Sequence, residues 1–154
     1  MDFFAHLAWT YLLFFRSGAD LNAALFFGIF PDVLFVSAAI IYSINLFARS
    51  REISRQKLFP VVRKVYLVAH SAVTATIFGI IASLLTGTIY LPVFAWYLHI
   101  ALDIYTHKGS PAEPQMPLYP IRKPAIKGWI WWRNPYFLIV NWFAVIIAYF
   151  LLNQ

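Results

Sequence analysis

The sequence predicts an all-α fold, a polytopic integral membrane bundle of about four to five transmembrane helices with a short N-terminal helical hairpin. Three observations carry this expectation. Hydrophobic residues make up 62% of the 154 residues and charged residues 12%, far from the ~45–50% and ~25% of soluble domains. The apolar residues fall in long runs, and a hydrocarbon core of ~30 Å needs roughly 20 residues of helix to cross it. The charges are gathered in blocks between those runs. By length the chain is one domain, residues 1–154. Cysteine is absent, which excludes a disulfide framework and a thiol nucleophile.

The elements follow in order. Phe3–Phe15 is apolar but short; no Lys or Arg precedes Arg16 and no small-x-small site follows, so it reads as a helix rather than a leader. Ser17–Asp20 is a turn, which makes the first two segments an antiparallel hairpin. Leu21–Ala48 is long and holds Pro31-Asp32. A break is expected at Pro31, because proline removes a helix hydrogen bond and crowds the preceding turn. Val65–Thr86 and Ile89–Thr106 are each read as a span, joined at Gly87-Thr88, and Tyr136–Leu152 closes the chain. The segment "GSPAEPQMPLYPIRKP" has too many prolines for a regular helix. Trp129, Trp131, Trp132 and Tyr136 then read as an interfacial aromatic belt.

Eleven of the twelve Lys and Arg lie in two stretches, 49–64 and 107–135. Both are expected to be cytoplasmic loops of an inner-membrane protein by the positive-inside bias. The net charge of +6 is thereby assigned to topology and to anionic membrane lipid, not to nucleic acid. Arg63, Lys64, Lys108, Arg122 and Lys123 are the candidates for attracting a substrate headgroup.

Ionisable residues inside apolar segments are costly and therefore functional suspects. "YLHIALDIYTHKG" sets His99, Asp103 and His107 at steps of four, on one helix face. "VAHSAV" puts His70 six residues beyond Lys64, ~9 Å along a helix and at a depth matching Asp103. The hairpin brings His6 level with Asp32. Imidazole and carboxylate together suit zinc, manganese or iron. The metal candidates are thus His6, Asp32, His70, His99 and Asp103. Each also has a plainer reading: an interfacial histidine, a His99–Asp103 hydrogen bond, or an Asp32–Arg16 pair.

Taken in order, His6, "FPDV", "AHSA", "LHIALDIYTHKG" and "MPLYPI" resemble the YdjM-type family of inner-membrane metal-dependent hydrolases of bacteria and archaea, over roughly residues 3–121. The resemblance implies a metal-binding hydrolase whose matching residues are His6, Asp32, His70, Ser71, His99, Asp103 and Thr106. The chain departs from the family's pattern at Leu34, where a second acid is common. It departs again at Val65 and Tyr66, in place of a His-Arg-Gly, and at Leu98, in place of Ser.

The function expected is hydrolysis by a metal-activated water near the cytoplasmic leaflet, on a lipid or other phosphoester. Zn2+ is the expected ion, with Mn2+ second. Asp103 and His70 are the expected catalytic residues, with Ser71 a weaker nucleophile because no carboxylate is placed to orient His70 as a triad base. The alternatives are a small metal or proton transporter or channel, and a structural membrane protein whose polar groups pair helices.

Overall fold

The computed structural model describes residues 1–48, 55–108 and 115–152. Among the described residues six helices follow one another: α1 (Phe3–Phe14), α2 (Leu21–Ala48), α3 (Arg55–Ala69), α4 (Ala72–Thr86), α5 (Phe94–Thr106) and α6 (Pro135–Leu152). A single 3-10 turn, Leu91–Val93, leads into α5. Leu21–Ala48 and Pro135–Leu152 are long and apolar enough to cross a membrane. A third crossing arises if the bent pair 60–69 and 72–86 is one span. The expected four to five spans are therefore not all met by length. The 13 residues of α5 reach only ~20 Å.

Local chemistry explains where the helices start and turn. Asp2 caps α1, its Oδ1 accepting from the Ala5 N–H at 2.9 Å. Gly18, at φ 77°, turns the chain, and Asp20 Oδ1 accepts from the N–H groups of Asn22 and Ala23 at the head of α2. The hairpin of α1 and α2 is as expected, and it closes tightly. A Cβ on Gly28 would collide with the Thr10 side chain.

Three expectations are corrected. The helix does not break at Pro31, because α2 runs unbroken from Leu21 to Ala48 with Pro31 buried inside it. A missing rung is tolerated where neighbouring helices enclose the backbone. The stretch 55–64 is not loop but the first ten residues of α3, a helix with polar and apolar faces; the remainder of that expected loop, 49–54, lies outside the described residues. Val65–Thr86 is not one straight helix either, since the chain bends by 53° between its two halves.

The bend lies at His70 and Ser71, and several of the backbone groups it frees find partners. Ser71 is extended (φ −103°, ψ 125°) and caps α4, accepting from the N–H groups of Val73 and Thr74. The Trp96 indole N–H donates to the Ala69 carbonyl at 2.7 Å, and the Ala72 N–H donates to the Pro117 carbonyl at 2.8 Å. Irregular backbone is tolerated in apolar surroundings only where protein encloses it in this way.

Among the described residues between 107 and 134 there is no helix, as the prolines predict; residues 109–114 of that expected loop lie outside the description. The segment folds back over the end of α5. His107 pairs antiparallel with Trp131, and the N–H groups of Trp129 and Trp132 donate to the carbonyls of Tyr105 and Thr106. Gly128 permits this approach, since a Cβ there would stand 2.7 Å from the Lys108 nitrogen. Trp129, Trp131 and Tyr136 are exposed. The core is aromatic and small: Ala24, Phe27, Ala75, Val93, Ala95, Trp96 and Ile100.

Candidate metal centre

Two helices and one helix break deliver the polar cluster. Asp32 comes from the middle of α2, His70 from the bend after α3, and His99 and Asp103 from consecutive turns of α5. One donor atom from each of these four lies within 4.8 Å of the others. His70 Nε2 is 3.2 Å from His99 Nε2, and Asp103 Oδ2 is 3.3 Å from the first and 3.5 Å from the second. Asp32 Oδ1 is 3.7 Å from both imidazole nitrogens.

The tautomers follow from the backbone. His99 Nδ1 lies 2.8 Å from the Gly28 carbonyl, and His70 Nδ1 lies 3.1 Å from the Tyr66 carbonyl. A carbonyl only accepts, so both Nδ1 atoms carry the proton. In the neutral rings both Nε2 atoms then present lone pairs. Two lone pairs face one another at 3.2 Å, beside two carboxylates, with no donor between them. Either a metal ion or a proton on one Nε2 resolves that arrangement.

The spacing fits a metal ion. Four ligands at about 2.0–2.2 Å from a tetrahedral ion stand roughly 3.3–3.6 Å from one another. Five of the six edges run from 3.2 to 3.7 Å, and the sixth, between Asp32 and Asp103, lies within 4.8 Å. Binding one imidazole nitrogen while the other donates to a backbone carbonyl is also how protein metal sites fix ring orientation.

Asp103 is held from behind. Its Oδ1 meets His6 Nε2 at 3.0 Å and His107 Nδ1 at 3.3 Å, and it contacts the Met1 amino group. Oδ2 is left facing His70 and His99. His6, expected as a ligand, therefore stands against the outer oxygen of Asp103, and its ring stacks on His99 with centroids 3.8 Å apart. His6 Nδ1 is buried without a hydrogen-bond partner among the described residues. His107, only noted in the sequence as a continuation of the stripe, is buried beside the same oxygen.

Ser71 is fully buried, and its hydroxyl donates to the Tyr119 carbonyl while capping α4. Its hydrogen-bond partners among the described residues are all backbone groups. Thr106 Oγ1 donates to the Leu102 carbonyl within its own helix.

Of the four clustered side chains, only Asp32 reaches a surface. Its side chain is 24% exposed, against 2% for Asp103 and 1% or less for the two imidazoles. It lines a cavity of about 200 Å³ walled by Asp2, Phe35, Tyr66, His107 and Trp132. Tyr66 stacks on His70 with centroids 3.9 Å apart and hydrogen-bonds Gln115 through its hydroxyl. Gln115 is buried, and nothing in its sequence position pointed to it. In the hydrophobic core, Phe27 and Trp96 stack at 6.0 Å, with Phe30 edge-on to Trp96 at 5.0 Å.

Of the five expected headgroup cations, Arg63, Lys64 and Lys123 share one separate pocket; Lys108 and Arg122 do not line it. Comparison with family models, with characterised proteins and with solved structures returned no match.

Proposed function

We propose that this chain is a metal-dependent hydrolase of the inner membrane, acting on a lipid or other phosphoester that enters beside Asp32. The observation that carries the reading is the convergence of one donor atom each from His70, His99, Asp103 and Asp32, all within 4.8 Å of one another. His70, His99, Asp103 and Asp32 would hold the ion, with Zn2+ the best match to an N2O2 donor set and Mn2+ the second. With four side chains as ligands a water would have to enter as a fifth, on the exposed Asp32 side, where a divalent ion would supply Lewis acidity and bring that water's pKa toward neutrality. The remaining tasks fall to the chain itself. Asp103 is kept ionised and oriented by the donors at its Oδ1. Asp32, at the mouth, is placed to accept a proton from an entering water.

Exposed Lys64 supports a position near the membrane surface. It marks where hydrocarbon ends, and His70 is six residues (70 − 64) further on, ~9 Å. The basic blocks support a cytoplasmic side for that surface. The ordered resemblance from His6 to Ile121 supports the hydrolase class.

Elemental analysis of purified protein tests the site, with one zinc or manganese expected per chain. His70→Ala and His99→Ala should each lower that occupancy at least tenfold at a fixed ion concentration. Release of a phosphoryl or acyl product from phospholipid in mixed micelles should disappear in the same variants. Stoichiometric metal without turnover on any phosphoester lipid would sink the hydrolase reading, and metal-free protein would sink the site.

A further inference from the structure

The cations Arg63, Lys64 and Lys123 gather where charge theory alone would keep them apart. We propose that the pocket between α3 and the turn at 115–123 is a binding site for a phosphate group, carried by an anionic phospholipid of the adjacent leaflet. The proposal goes beyond the hydrolase reading, because binding here requires neither the metal centre nor turnover.

The pocket has a volume of about 380 Å³, with Pro60, Leu67, Met116 and Tyr119 completing its wall. Three positive charges face it with no compensating acid among the described residues. The four described carboxylates are all engaged elsewhere: Asp2 and Asp20 cap helices, and Asp32 and Asp103 form the cluster. Arg63 is half-buried, and its Nε–H is buried with no acceptor among the described residues. A buried donor left unsatisfied costs about 1–3 kcal/mol, more when it is charged. A phosphate oxygen is the acceptor that matches a guanidinium best.

The site is built rather than accidental. The turn carrying Tyr119 and Lys123 is fastened to the helix break, by Ser71 Oγ to the Tyr119 carbonyl and by the Ala72 N–H to the Pro117 carbonyl. Lys123 is thereby held over α3, facing Arg63 and Lys64. The lipid source is favoured over a soluble one by what surrounds the pocket. Val61 and Val68 are exposed on the same helix, and Ile121 is exposed two residues before Lys123. A headgroup seated among the cations would leave its acyl chains against this apolar surface. Basic clusters next to membrane segments attract anionic lipid at about 1 kcal/mol per charge.

The test is native mass spectrometry of the full chain in detergent, titrated with palmitoyl-oleoyl-phosphatidylglycerol, with the phosphatidylcholine analogue, and with inorganic phosphate. One phosphatidylglycerol per chain is expected, at least tenfold tighter than phosphatidylcholine. Retention of the adduct in Asp103→Asn would separate this pocket from the metal centre. Arg63→Gln with Lys123→Gln should weaken binding at least tenfold, and Lys108→Gln, outside the pocket, should leave it unchanged. Should the double variant not fold, Lys123→Gln alone, at an exposed position, should still weaken binding measurably. Phosphate binding without lipid binding, lost in the same variants, would keep the phosphate site and replace its source. Equal lipid binding by wild type and Lys123→Gln, or no binding of either probe, would overturn it.

Discussion

Asp32 Oδ1 and His70 Nε2 lie 3.7 Å apart although 38 residues (70 − 32) separate them, because α2 and α3 form an antiparallel hairpin whose arms match. Asp32 stands 16 residues (48 − 32) before the end of α2, and His70 stands 15 (70 − 55) after the start of α3. At ~1.5 Å per residue the two arms agree to within one turn.

That register separates the roles of the two aspartates. Asp32 sits partly in solvent, so Asp32→Asn should lower metal occupancy at least tenfold while leaving the thermal unfolding of metal-free protein within a few degrees of wild type. Asp103 is buried with donors converging on its Oδ1. Asp103→Asn should therefore lose the metal and also cost on the order of 3 kcal/mol of stability, the scale for breaking a buried ionic pair from one side. Thermal unfolding in detergent, read by circular dichroism with a chelator present, checks both. Equal destabilisation by the two variants would contradict the assignment.

The approach of α1 to α2 sets the position of His99, because the Gly28 carbonyl that orients the ring sits at the crossing point. Gly28→Ala would drive a methyl group into Thr10. Overpacking of this kind typically costs about 1–3 kcal/mol. Metal affinity should fall with stability, since moving Gly28 moves the acceptor for His99 Nδ1. Thr10→Ala added to Gly28→Ala should recover most of both, and failure of that rescue in unfolding and zinc-binding titrations would reject the steric account.

What the sequence made legible was local chemistry, and what it hid was helix continuation. His99 and Asp103 share a face because they are four apart in one helix, and the structure places them so. His6 was legible as a member of the cluster but not as a donor to Asp103, because spacing along α1 says nothing about which carboxylate oxygen it meets. The break at Pro31 was misread because proline's cost was judged for an isolated helix, whereas Pro31 is buried among neighbours. The bend at His70-Ser71 was hidden inside a continuous apolar run. Its one signal was Ser71, a residue type that caps helices, set just before the run resumes. The basic stretch 55–64 read as loop because its charges hid an amphipathic helix that rests on α2.

The helix break depends on Trp96 as well as on Ser71. The Trp96 indole is the donor for the Ala69 carbonyl, which the end of α3 would otherwise leave unsatisfied in a buried position. Trp96→Phe keeps an aromatic ring against Phe27 but leaves that carbonyl bare. The expected cost is about 1–3 kcal/mol from the lost acceptor pairing, before any packing loss. Trp129→Phe, at an exposed position, should lie within about 0.5 kcal/mol of wild type. Chemical denaturation in mixed micelles compares the two, and equal effects would remove the indole hydrogen bond from the account.

Ser71 offers the sharpest division between a chemical and a structural role. A hydroxyl nucleophile needs a base within hydrogen-bond reach. Here the hydroxyl donates to the Tyr119 carbonyl and accepts from two N–H groups of α4. Ser71→Ala should therefore behave as the loss of a helix cap, costing about 0.5–2 kcal/mol, and it should loosen the turn that carries Lys123. Metal content should stay at one ion per chain. Hydrolysis, measured well below the unfolding temperature, should fall by no more than about tenfold. Loss of turnover by a thousandfold with metal and fold retained would show instead that the hydroxyl reacts, and the water-based mechanism would have to yield to a covalent one.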